Sequence, residues 1–239
     1  MGRHMLCAAF ESGKNMLKYL LRAMVKKELI IFDLDGTLID SSVDIAWAAN
    51  RTLVSYGLNE RSVAEIRDNI GWGVKPLLER LMPGSDPMRI TSARERFLEY
   101  YWGHLTVGTR LFEGVDETLK ALRGMDRRLA VVTNKPVLFA RKILEELGIG
   151  FCFDAVAGGD SFQNKKPHPE PLEKVIEGIG TAKDESAFVG DSAIDRETGR
   201  KAGVFTIGVS YGFRAGATIE EMGFDAVIDR FPDLLRIIG

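Results

Sequence analysis

The chain has little cysteine. Cys7 and Cys152 are the two such residues among 239, they lie far apart, and neither has a partner at metal-ligand or redox spacing. A disulfide framework is excluded, and a reducing, cytoplasmic setting is expected. Histidine is sparse too: His4, His104 and His168 have no carboxylate or cysteine at useful spacing, and each reads as a surface or loop residue. An excess of one charge is missing, with 32 Lys and Arg against 34 Asp and Glu. No Lys/Arg block with interleaved aromatics occurs, so nucleic acid is not an expected partner. No apolar run approaches the roughly 18 to 20 residues of a membrane-spanning helix, and no membrane partner is expected. Repeats and low-complexity segments are absent as well.

What remains is an ordinary globular composition, 45% hydrophobic and 28% charged, long enough for one large domain or two smaller ones. Residues 1–23 stand apart. "MGRHM" resembles a tag remnant, and "KNMLKYLLRAMVKK" is a short basic amphipathic segment without the features of a signal peptide. They are expected to be a dispensable extension, the alternative being a helix that docks on a membrane surface or partner.

The stretch "ELIIFDLDGTLID", Glu28 to Asp40, carries the first strong signal. Consecutive apolar residues predict a strand covered on both faces, as in a parallel α/β sheet. Its polar end then falls at the carboxyl edge, where such sheets bind ligands, although a plain Asp-Gly turn would look the same. Next comes helical periodicity. A stripe of Val43, Ala46, Trp47, Asn50, Leu53 and Val54 follows Ser41 or Ser42 as N-cap; Ser62 with Glu65 and Ser92 with Glu95 match the capping box; Pro76 suits the first turn of a helix ending at Leu81. About four helices are expected between residues 41 and 110, and no strand before about residue 128. From Glu113 helix and strand alternate, which predicts a doubly wound parallel sheet. The expected division is a core of residues 24–40 and 111–239, with a helical cap, 41–110, inserted after the first strand and placed to act as a lid.

Several parallel strands end in polar residues: Asp33 and Asp35, Thr133 and Asn134, Asp191 with Asp195. Lys166 lies in a loop leading from another. Their carboxyl ends converge on one cleft. A carboxylate cluster facing one lysine and one threonine is costly without a cation, and Mg²⁺ suits carboxylate and carbonyl ligands and pairs with phosphate.

The motifs "DLDGT", "VVTNKP", "KKPHPEP" and "GDSAID", with "AGGD" and "VSYGF", occur in an order that resembles the haloacid dehalogenase superfamily, and within it the phosphoglycolate phosphatase branch. The likeness runs from Leu29 to about Asp229. It implies an Mg²⁺-dependent phosphatase acting on small phosphate monoesters through an aspartyl phosphate, with 2-phosphoglycolate as substrate. Asp33 would be the nucleophile and Asp35 the general acid and base; Thr133 and Lys166 would hold phosphoryl oxygens. Asp33, the Asp35 carbonyl and Asp191 would bind the metal, while Asp195 would either join them through water or orient Lys166. Asn134 is a turn residue or a substrate contact. Gly71, Trp72 and Gly73 fall where the family has a cap loop facing the substrate; their amides are candidate donors to a carboxylate, with Lys75 as an alternative. Trp72 reads as core packing first and substrate contact second, and Trp47 and Trp102 as cap core. Thr37 is expected to brace the turn, Lys165 to be a solvated neighbour of Lys166, and Lys135 to lie on the surface.

Other chemistries on the scaffold are distinguishable. Asp35 argues against carbon–halogen hydrolysis, and Gly190 stands where a related mutase has an acidic residue. Pyrophosphate and sugar phosphates remain open as substrates, and a non-catalytic binding module would have no evident use for Asp33, Asp35, Lys166 and Asp191 together.

Overall fold

The computed structural model describes residues 26–213 and 218–238; the expected extension of residues 1–23 lies outside them. Strand β1 (Leu29–Phe32) is buried throughout. Leu29 and Ile31 belong to one apolar cluster, Ile30 and Phe32 to a second, so alternate side chains enter cores on opposite faces of the sheet. This is why the segment reads as a continuous hydrophobic run.

The chain then passes through β2 (Ile39–Asp40) into four helices: α1 (Ser42–Ser55), α2 (Val63–Arg67), α3 (Val74–Leu81) and α4 (Pro87–Trp102). It returns through β3 (Arg110–Leu111), which pairs antiparallel with β2. Alternation follows: α5 (Val115–Gly124), β4 (Arg128–Val132), α6 (Val137–Glu146), β5 (Ala155–Ala157), α7 (Glu170–Ile179), β6 (Ser186–Gly190), α8 (Ala193–Ala202), β7 (Phe205–Val209), α9 (Ile219–Met222), β8 (Ala226–Ile228) and α10 (Leu234–Ile238). The six-stranded sheet is parallel in the order β5-β4-β1-β6-β7-β8. With β1 between β4 and β6, the polar ends of those three strands are neighbours. No helix among the described residues is long and apolar enough to cross a membrane.

The helical segment holds the main departures from expectation. The two-residue strands β2 and β3 carry too few residues to show a period. The Ser62–Glu65 capping box forms, but α4 begins earlier than the Ser92–Glu95 pattern implies: Asp86 caps it, accepting from the N–H groups of Met88 and Arg89, with Pro87 in the first turn. In α1 the buried face carries Ile45, Ala46, Ala48, Ala49, Thr52 and Leu53, whereas Val43 and Val54 are exposed. The face is rotated because Asp44 points inward. Its carboxylate, fully buried, accepts from the N–H groups of Gly108 and Thr109 and from Thr109 Oγ1, and lies 3.0 Å from His104 Nδ1, joining the start of α1 to the segment leading into β3. His104 is thus no simple surface residue, since its ring also stacks on Trp47 with centroids 3.9 Å apart. Trp102 is not core: it is 46% exposed and lies edge-on against Phe139 of α6.

Candidate active site

Asp33 follows β1, Thr133 follows β4 and Asp191 follows β6, so adjacent strands deliver all three to one edge. Asp33, Asp191 and Asp195 are buried and bring one carboxylate oxygen each within 4.8 Å of the others. Lys166, itself 2% exposed, places its Nζ 2.7 Å from Asp33 Oδ1 and 2.7 Å from Asp195 Oδ1. Three carboxylates face one ammonium, an excess of two negative charges that one divalent cation balances. An all-oxygen donor set of this kind suits a hard cation such as Mg²⁺.

The surroundings fix these groups. Asp195 uses Oδ1 for Lys166 and Oδ2 for the backbone N–H and hydroxyl of Ser192, as the reciprocal cap of α8. Asp191 Oδ2 accepts from Phe213 N at 2.6 Å, and its Oδ1 is 3.4 Å from Thr37 Oγ1, so Thr37 braces the turn. Glycine is required around them. A Cβ at Gly36, which has φ +86°, would lie 2.2 Å from Asp191 Oδ2, and one at Gly190 would lie 2.4 Å from Asp195 Cβ.

Burial, reinforced by Asp195, pushes the Asp33 carboxyl up to about 7 against the pull of Lys166. Asp191 is raised for the same two reasons, with Asp33 adding to them. Burial alone would lower the Lys166 ammonium; Asp195 and Asp33 outweigh it and raise it. Burial and mutual repulsion thus oppose ionisation of Asp33 and Asp191, and a bound cation would favour it.

Asp35 faces a different set. Its Oδ1 accepts from Ser41 Oγ at 2.5 Å and from Lys135 Nζ at 2.8 Å. Lys135 is not on the surface: it is 7% exposed, and its ammonium also donates to Tyr101 Oη of α4 at 2.7 Å. Sequence reasoning missed both Lys135 and Tyr101, because the contact that buries the lysine comes from a helix 34 residues away. Asn134 donates from Nδ2 to the carbonyls of Gly71 and Lys166, while its buried Oδ1 has no partner among the described residues. Lys165 is exposed and donates to the Trp72 carbonyl. The Trp72 ring is 39% exposed, outside the core, and Lys75 is exposed and paired loosely with Glu79.

These groups border a cleft of about 540 Å³, part of it open to solvent. Asp33, Asp35, Thr133, Asn134 and Lys135 line it from the sheet edge, Gly71 and Gly73 from the loop before α3. Opposite stand apolar side chains of the helical segment, Ile45, Leu77 and Phe97 among them, with Tyr101.

A parallel sheet with an acidic cluster and one lysine at its carboxyl edge is the arrangement of a hydrolase core, and the family comparison agrees. The haloacid dehalogenase-like hydrolase model matches residues 30–209, and the chain belongs to that family. It is 40% identical over 214 residues to a phosphoglycolate phosphatase of Pectobacterium atrosepticum, covering 88% of this chain and 92% of the relative. To the phosphoglycolate phosphatase of Escherichia coli K12 it is 35% identical over 233 residues, with the same coverage. Among solved structures it is similar to a predicted phosphoglycolate phosphatase from Haemophilus somnus, with TM-score 0.85 and 32% identity over 90% of this chain and 100% of the other.

Proposed function

We propose that the protein is an Mg²⁺-dependent phosphatase of small phosphate monoesters, working through an aspartyl phosphate on Asp33, with 2-phosphoglycolate as its preferred substrate. The observation that carries this reading is the excess negative charge of Asp33, Asp191 and Asp195 around Lys166, beside a cleft that Asp33 and Asp35 line. The names of the relatives at 35% and 40% identity support the substrate.

Asp33 attacks phosphorus, and the bond to the leaving oxygen breaks as Asp35 supplies a proton, which turns one hard displacement into two easier ones. Asp35 then takes a proton from water, whose oxygen attacks the same phosphorus and releases Asp33 and inorganic phosphate. Lys166 and Thr133 hold the phosphoryl oxygens while charge develops on them. Asp33, Asp191 and the Asp35 carbonyl would hold Mg²⁺, which would supply positive charge against the phosphoryl group. Because Asp195 has both oxygens committed to Lys166 and Ser192, its role is to orient the lysine.

On the opposite side, residues 41–110 act as a lid that excludes water and large substrates. Asn134 ties the Gly71 loop to the Lys166 loop, so the lid's edge and the phosphoryl-binding lysine are held together. Gly71 and Gly73 contact the substrate through their backbone, with Trp72 carried between them. A panel of about twenty small phosphate esters plus pyrophosphate, ranked by kcat/KM with Mg²⁺ present and after chelation, tests the proposal. A clear preference for 2-phosphoglycolate supports it. Undiminished turnover after chelation contradicts the metal, and isomerisation of a sugar phosphate without phosphate release contradicts hydrolysis.

A further inference from the structure

We propose that the Lys135 ammonium and the Tyr101 hydroxyl form a paired-donor site that reads the carboxylate of the substrate, making these two residues the specificity determinants of the phosphatase proposed above, on which this inference rests. An ammonium has three N–H donors, and Lys135 gives one to Asp35 and one to Tyr101 Oη. Among the described residues the third has no acceptor. Tyr101 Oη accepts that bond, and its own proton likewise has no acceptor among the described residues. Both side chains are more than nine-tenths buried and both line the cleft. Two donors whose heavy atoms are 2.7 Å apart can each serve one oxygen of a carboxylate.

Other candidates for that anion are poorly placed. Among the described residues lining the cleft, Lys135 is the one that is cationic. Lys166, held between Asp33 and Asp195, is not among the residues lining the cleft, the Lys165 ammonium donates to the Trp72 carbonyl, and Lys75 is exposed beside Glu79. Ile45, Leu77 and Phe97 on the opposing wall offer a desolvated charge nothing, and the backbone N–H groups of Gly71 and Gly73 carry no net charge, so Lys135 is the cation a carboxylate meets in the cleft. The same wall would leave the hydroxyl groups of a sugar unpaired.

Position fits the chemistry. The Lys135 Nζ is 2.8 Å from Asp35, the group that protonates the leaving oxygen. In 2-phosphoglycolate the carboxylate is one methylene removed from that oxygen. Burial and the nearby Asp35 hold the Tyr101 phenol up at about 12 despite Lys135, so it keeps the proton it would donate. Since Tyr101 belongs to α4, the carboxylate would also bind the helical segment to the sheet edge.

The test compares kcat/KM for 2-phosphoglycolate and 2-hydroxyethyl phosphate, which differ only in carboxylate against hydroxymethyl. Wild type should prefer the carboxylate by at least about tenfold, the scale of one charge-assisted hydrogen bond. Lys135→Gln, which keeps amide donors but no charge, should abolish most of that ratio, and Tyr101→Phe should reduce it mainly through KM. Equal losses on both esters in either variant would mean that Lys135 serves Asp35 alone, which overturns the inference. So would a wild type without preference, whether or not the variants fold. Failure of wild type with Mg²⁺ to hydrolyse either ester or p-nitrophenyl phosphate would instead defeat the phosphatase reading, and this inference with it.

Discussion

Lys166 Nζ lies 2.7 Å from Asp33 Oδ1, and both residues are buried. A pair this deep is held by its partners rather than by solvent. Removing the lysine leaves Asp33 and Asp195 facing each other without compensation. Lys166→Met should therefore lower the unfolding free energy by about 3 kcal/mol, the usual scale for breaking a buried ion pair, and reduce kcat about a hundredfold or more. Urea titration without metal and steady-state kinetics read the two effects. An unchanged midpoint would show that the carboxylates do not depend on the lysine.

The raised Asp33 carboxyl has a consequence for pH. Its folded value of about 7 lies above the 3.8 of the free group, so the folded state binds the extra proton between those values. Without metal, this contribution to stability is full below the lower value and is lost as pH rises through the higher one. A cation prefers the ionised carboxylate and must displace that proton, so Mg²⁺ should raise the melting temperature more at about pH 8 than at about pH 5. Scanning fluorimetry at both pH values, with and without Mg²⁺, measures this. An equal shift at both would mean that Asp33 does not exchange a proton for the metal.

At Gly36 the backbone conformation and the Asp191 carboxylate both exclude a side chain. Gly36→Ala should fold but raise the Mg²⁺ concentration needed for half-maximal activity about tenfold or more, because a displaced ligand weakens metal binding on that scale. Metal titration of activity, with far-ultraviolet circular dichroism as the control for folding, checks it.

Asp44 predicts an effect of another kind, on the fold. Asp44→Ala strips acceptors from the buried N–H of Thr109 and the neighbouring N–H of Gly108. It should cost about 3 kcal/mol, given the usual penalty for buried donors left unpaired. Chemical denaturation gives the value directly, and a loss below about 1 kcal/mol would mean that water replaces the carboxylate.

Much of this arrangement was legible in the sequence, for identifiable reasons. β1, β4 and β6 are buried on both faces, so their hydrophobic runs are unbroken and their ends are marked by the first polar residue. That rule puts Asp33, Thr133 and Asp191 on one edge of the sheet. Lys135 escaped because sequence neighbours in a turn do not reveal which way a side chain points, and Tyr101 because nothing in a helical period distinguishes a core phenol from one lining a cleft. The face of α1 was misread where one buried charge, Asp44, occupies a position that a hydrophobic pattern assigns to solvent.

Transfer of the phosphoryl group to Asp33 is the step on which every assigned role depends. With Asp35→Asn, dephosphorylation should slow more than attack when the leaving group is good. Protein quenched in acid during turnover of p-nitrophenyl phosphate, then digested and mapped by mass spectrometry, should carry phosphate on the peptide containing Asp33, and Asp33→Asn in the same background should carry none. Phosphate on a serine or histidine, or undiminished labelling after Asp33→Asn, would contradict the mechanism.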